Sequence, residues 1–139
     1  MTRLIAAVAA LCVLATACSE PAAVVSEDFA GGRDTFGTCA ACHGADGTGG
    51  VGPAFASVRE TFPDCETQIE WVRLGSTGWQ EEHGATYGAT GKPVNGGMPS
   101  FAKLDDREIR QVVLYERVRF GGADEVTEAE ACGLASPTP

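Results

Sequence analysis

Cys39-Ala40-Ala41-Cys42-His43, followed at once by Gly44, is the stretch on which the reading of this 139-residue chain turns. Two thiols separated by two residues can reach the two vinyl groups along one edge of a haem. A histidine directly after the second thiol then lies under the iron as a proximal ligand. Two other chemistries use paired cysteines. A zinc site needs a second ligand pair, and Cys65, Cys132 and His83 are not so spaced. A thioredoxin-like redox dithiol needs a surrounding βαβ pattern, which the chain lacks. The spacing predicts one covalently attached haem.

The second axial position is read from the methionines. Apart from Met1 there is one, Met98, in Asn95-Gly96-Gly97-Met98-Pro99. A thioether is a soft ligand that favours ferrous iron and raises the reduction potential. The flanking Gly96 and Gly97 permit close backbone approach, and Pro99 stiffens the exit. A lone methionine is ordinarily core filler, but its place in a long glycine-rich loop before the last helix makes Met98 the distal candidate. His83 is the rival, in the polar run Gln80-Glu81-Glu82-His83-Gly84 that reads as a solvated surface.

Working outward, Met1-Thr2-Arg3 and the apolar run from Leu4 to Ala17 read as a signal peptide, too short to span a bilayer comfortably. Leu14-Ala15-Thr16-Ala17-Cys18 resembles a bacterial lipobox, in which Cys18 is acylated and becomes the mature N-terminus. Ala15 departs from the leucine usual there, and simple secretion after Ala17 is the alternative. Residues 18–26 then form a tether, residues 27–122 the folded domain and residues 123–139 an acidic C-terminal tail. Both routes place the chain outside the cytoplasm, in the periplasm or on the outer face of the plasma membrane, the lipobox route adding a membrane anchor.

With Cys12 removed, Cys18 the lipidation candidate and Cys39 and Cys42 in the motif, Cys65 and Cys132 remain as an even pair in an oxidising compartment. They are expected to form a disulfide pinning the tail, the alternative being two buried thiols. The formal net charge is −9. Residues 1–17 contain one charged side chain, Arg3, so the remainder carries 9 basic and 19 acidic side chains. Phosphate binding needs clustered Lys and Arg, so a nucleic-acid partner is excluded. A basic protein partner fits, as does acidity serving solubility alone.

Periodicity predicts three main helices. Glu27 to Thr38 has Ser26 as N-cap, acids in its first turn, and Phe29 and Phe36 on one face with Gly32 between them. Asp64 to Leu74 is stopped by Gly75. Asp105 to Arg119 buries Ile109, Val112, Val113 and Tyr115 and ends at Gly121-Gly122. A short helix before Cys132 is also expected. Gly44 to Gly52 is a glycine-dense loop, and Ser76 to Pro99 reads as a long loop without periodicity, which in a compact domain needs something to wrap.

In this order and spacing the motifs resemble the small class I, mitochondrial-like bacterial cytochromes c over about Phe29 to Phe120. The pieces are Gly32-Arg33-Asp34-Thr35-Phe36, the haem motif, Gly52-Pro53, Trp71-Val72-Arg73-Leu74-Gly75, Gly97-Met98-Pro99-Ser100-Phe101 and Leu104 to Tyr115. The resemblance implies an all-α cytochrome c fold, its first and last helices crossing near Gly32, Phe36 and Tyr115. It implies that the Pro53 carbonyl accepts a hydrogen bond from the His43 ring. Trp79 and Tyr87 become candidates for polar contacts to propionates or near Met98, or for plain packing. The expected function is a non-enzymatic one-electron carrier, passing electrons between a quinol-oxidising complex and a terminal oxidase. A fixed haem subunit of a membrane dehydrogenase or oxidase, and a five-coordinate peroxidase or gas-binding protein, are the alternatives.

Overall fold

The computed structural model describes residues 26–134; the signal sequence, Cys12, the lipidation candidate Cys18 and most of the tether lie outside the described residues. The first helix, α1 (Glu27–His43), starts where capping chemistry puts it, the Ser26 side chain accepting from the Phe29 N–H at 3.1 Å. It does not end at Thr38 as expected. It runs through the whole cysteine motif to a cap at Gly44, whose φ of 79° is in the region that favours glycine. The periodic apolar signal fades after Phe36, but Cys39 and Ala40 pack against the core and carry the helix on.

A short helix, α2 (Val58–Thr61), leads into α3 (Cys65–His83), capped by Asp64. Gly75 breaks α3 as expected, with φ 65° and ψ −175°, but the chain resumes helical geometry at Ser76 and holds it to His83. The first part of the expected loop is therefore helix. Its sequence has one large apolar residue, Trp79, so periodicity gave no signal; tertiary packing supplies the stability instead. Trp79 is buried, edge-on to Trp71 at 5.4 Å, and its indole N–H donates to the Thr86 carbonyl at 2.9 Å. A two-residue hairpin follows, β1 (Thr86–Tyr87) antiparallel to β2 (Lys92–Pro93).

The helix α4 (Asp106–Arg119) carries a capping box, in which Asp105 accepts from the Glu108 N–H while the Glu108 side chain accepts from the Asp105 N–H. It is the centre of the core: Ile109, Val112, Val113 and Leu114 are all at most 1% exposed. Each such side chain contributes roughly 1.5–3 kcal/mol relative to leaving it in water. The last helix, α5 (Glu125–Ala131), packs on α4, and Cys132 just beyond it is joined to Cys65 with the two Cα atoms 5.2 Å apart.

The crossing of α1 over α4 positions the site. An added Cβ at Gly32 would lie 2.6 Å from the Gln111 carbonyl carbon and 2.9 Å from the Tyr115 Cβ, so only glycine permits this approach. Around the crossing, the Tyr115 ring meets Phe29 at 5.0 Å and Phe36 at 5.3 Å between centroids. Buried Asp28 on α1 accepts from Arg107 and Gln111 on α4, closing the same contact with charge. Among the described residues no helix is long and apolar enough to cross a membrane.

Candidate cofactor pocket

Because α1 continues to His43, Cys39, Cys42 and His43 occupy positions i, i+3 and i+4 of one helix and share a face. That face lines a cavity of about 730 Å³, whose other walls include Pro53, Phe55, Trp71, Val72 and Met98. The volume lies within the roughly 300–1,000 Å³ of cofactor sites, and the aromatic and aliphatic walls suit a flat apolar group. Both cysteines of the motif are free thiols, Cys42 exposed and Cys39 partly buried. Burial, aided by the nearby Glu116 carboxylate, pushes the Cys39 thiol up to about 12. A thiol held protonated is a poor disulfide-exchange nucleophile, so Cys39 itself is not set up to attack a disulfide.

His43 is buried and its Nδ1 lies 2.8 Å from the Pro53 carbonyl oxygen. With Nδ1–H donating there, Nε2 carries the free lone pair a metal needs. The Gly52 backbone runs so close to the ring that an added Cβ there would lie 2.7 Å from its Cε1. The Phe55 ring lies 4.6 Å from it on another side. Pro53 is thus held where the family resemblance put it.

Met98 is fixed by the break in α3. The Ser76 N–H donates to the Met98 carbonyl at 3.0 Å, and the Met98 N–H donates to the Ser76 hydroxyl at 3.0 Å. The next residues are clamped too, Phe101 N–H on the Val72 carbonyl at 3.2 Å and Ser100 hydroxyl on the Arg73 carbonyl at 2.7 Å. Gly75 allows this docking: its added Cβ would lie 2.6 Å from Pro99 and 2.7 Å from the Met98 oxygen. At Gly96 and Gly97 the space around an added Cβ is open of other protein side chains and backbone, and both residues line the cavity. The tight protein packing in this segment is at the helix break, a contact the sequence reading did not anticipate.

His83 does not line the cavity. It sits at the exposed end of α3, its Nε2 3.1 Å from Glu70 and its ring against Trp79 at 4.2 Å. Trp79 is not among the residues lining the cavity and its N–H donates to Thr86, so of the two roles offered by resemblance it has the packing one, against Trp71. Tyr87 does line the cavity, stacked on Trp71 at 4.2 Å. Among the described residues, the two groupings of three metal-ligating side chains are Cys65–Glu128–Cys132 and Glu70–Glu82–His83. Neither includes Cys39, Cys42 or His43, and the first has its sulfurs in a disulfide, so no zinc cluster forms around the motif.

The family model of cytochrome c matches residues 29–115. The chain belongs to the cytochrome c family. Members bind haem c through covalent attachment and are generally electron carriers, and the five-helix, almost strand-free structure fits the all-α cytochrome c fold. The chain has no significant match among curated proteins or among solved structures. The donor set fits the haem c of the family: two free thiols on one helical face, an imidazole with a free Nε2, and a soft thioether on the same apolar cavity.

Proposed function

We propose that this cytochrome c is a one-electron carrier whose haem is thioether-bonded to Cys39 and Cys42 and held between His43 and Met98. Haem c, when bound, supplies reversible one-electron exchange between ferric and ferrous iron. Everything else is done by the chain. His43 offers Nε2 because Pro53 holds Nδ1–H, and that hydrogen bond raises the basicity of the ligand. The Ser76 clamp holds the Met98 backbone at the cavity wall, and the soft sulfur stabilises the ferrous state. The apolar walls exclude water, which favours the state of lower charge.

The observation that carries the reading is the reciprocal pair of hydrogen bonds between Ser76 and Met98, by which α3 holds the Met98 backbone at the cavity wall. With His43 and Met98 both ligating, a bound haem would offer no open coordination site for substrate, so the protein is read as a carrier and not an enzyme. Carbon monoxide tests this directly. The reduced protein is expected not to bind the gas at neutral pH, and a Met98→Ala variant to bind it. Binding by the unaltered protein would move the reading to a five-coordinate gas-binding or peroxidase chemistry.

An extracytoplasmic location is part of the proposal, supported by the Cys65–Cys132 pair, which suits an oxidising compartment. Acylation of Cys18 would tether the domain to the membrane, within reach of a quinol-oxidising complex and a terminal oxidase. The acidic surface would steer it to basic docking sites.

A further inference from the structure

Glu116 lies on α4 at the wall of the cavity and is 3% exposed. Its Oε2 accepts from Gln68 Nε2 at 2.8 Å. Among the described residues no ion pair reaches it. Arg117 is adjacent in sequence but committed elsewhere. Its guanidinium is paired with Glu128 and also donates to the Phe62 carbonyl at 2.7 Å and to Gln68 Oε1 at 3.2 Å. Gln68 therefore stands between a neutralised Arg117–Glu128 pair and Glu116, and passes on a dipole instead of a charge.

The other titratable groups nearby leave Glu116 uncompensated. From α1 come Cys39, Cys42 and His43, and the two thiols lose their protons to chemistry, not to ionisation, once they are thioethers. The hairpin contributes Tyr87 and Lys92 to the same cavity, and the Lys92 ammonium donates to the Thr61 hydroxyl at 2.8 Å. From α2, Arg59 lies 3.9 Å from Glu128. A haem held in this cavity would bring the variable charge of its iron to the wall on which Glu116 lies.

We propose that Glu116 is a redox-linked proton site, so that this protein carries a proton together with its electron; the proposal rests on the haem c reading of the cavity. The Glu116 carboxylate takes one proton from bulk water, an O–H bond forming, as the site gains one electron from a protein donor and its iron passes from ferric to ferrous. Loss of that electron to the acceptor returns the proton to water. The uptake has a simple electrostatic cause. A ferric centre carries one more positive charge than a ferrous one, and in a low-dielectric cavity that charge favours the ionised carboxylate. Linkage makes the effect reciprocal: whatever reduction does to proton affinity, protonation does to electron affinity. Burial already pushes Glu116 up to about 8, with the Gln68 hydrogen bond pulling the other way, so its titration falls in an accessible range.

The test is the midpoint potential of the holoprotein as a function of pH, with infrared difference spectra of the reduced-minus-oxidised protein. The reduction equilibrium constant is expected to fall by up to about tenfold per pH unit, which is about 59 mV, through the slightly alkaline range. A protonated-carboxyl band is expected to appear on reduction and to shift in heavy water. Glu116→Gln keeps an acceptor for Gln68 and is expected to flatten the slope and remove the band. A flat midpoint in a haem-loaded protein overturns the proposal alone, as does a slope that persists in Glu116→Gln. A chain that carries no haem on a denaturing gel overturns the haem reading and this proposal with it. Should Glu116→Gln fail to fold, absence of the carboxyl band in the unaltered protein is sufficient to reject the idea.

Discussion

Reducing the Cys65–Cys132 disulfide should destabilise the holoprotein by about 4 kcal/mol, and the structure sets that magnitude. The bridge spans 67 residues of sequence, and the chain-entropy relation for a loop of that length gives about 4.4 kcal/mol at 25 °C. Both cysteines are buried, at 3% and 0% exposure, so the bridge is also a packed part of the core. It joins the start of α3 to the end of α5, next to the buried Arg117–Glu128 pair. The assay is urea unfolding followed by circular dichroism, comparing the oxidised protein with protein treated with a phosphine reductant. A Cys65→Ala/Cys132→Ala variant serves as the chemically permanent control. Because most of the effect lies in the unfolded chain, the m-value should rise on reduction as the unfolded ensemble expands. A loss below about 1 kcal/mol with an unchanged m-value would refute the reasoning, since no cross-link would then be constraining the chain. Alkylation of both thiols in the native protein would refute it by a separate route.

Other consequences follow from single contacts. Gly32→Ala forces a methyl group into the Gln111 carbonyl, and overpacking of this kind costs about 1–3 kcal/mol, read as a lowered urea midpoint. Ser76→Ala removes the hydroxyl that accepts from the Met98 N–H, a loss of about 1 kcal/mol that should let added imidazole displace Met98 about fivefold more readily. Asp105→Ala breaks the capping box of α4 and should cost about 1 kcal/mol without altering the visible spectrum. The pH dependence of stability carries the mark of Glu116. Its folded value is raised by burial, so its contribution is fully present below the unfolded carboxyl value of roughly 4.3 and is lost as pH rises through about 8. Unfolding free energy should therefore fall across that window, and Glu116→Gln should flatten the fall.

Much of the site was legible because its chemistry is written in contiguous residues. The motif from Cys39 to His43 is a local signal that the structure places at the cavity, and the caps at Ser26, Asp64 and Asp105 and the glycine at the helix crossing each have the structural role their residue type implies. What was not legible depends on residues distant in sequence. The helix from Ser76 to His83 has no apolar period of its own and exists because Trp79 docks on Trp71 and Thr86. The extension of α1 past Thr38 similarly comes from packing of Cys39 and Ala40 against the core. The clamp on Met98 comes from a serine 22 residues upstream, which no spacing rule connects to it. Glu116 was hidden for a different reason: an acid inside an amphipathic helix reads as surface, and only burial marks it as unusual.

The claim most open to direct test is that Met98 fills the position across the iron from His43. A redox titration followed in the visible region, with and without Met98→Ala, measures it. The account predicts a weak band at the red end of the oxidised spectrum that vanishes on reduction, and a lower midpoint potential with no such band in Met98→Ala. A variant with the same band and the same midpoint as the unaltered protein would contradict it.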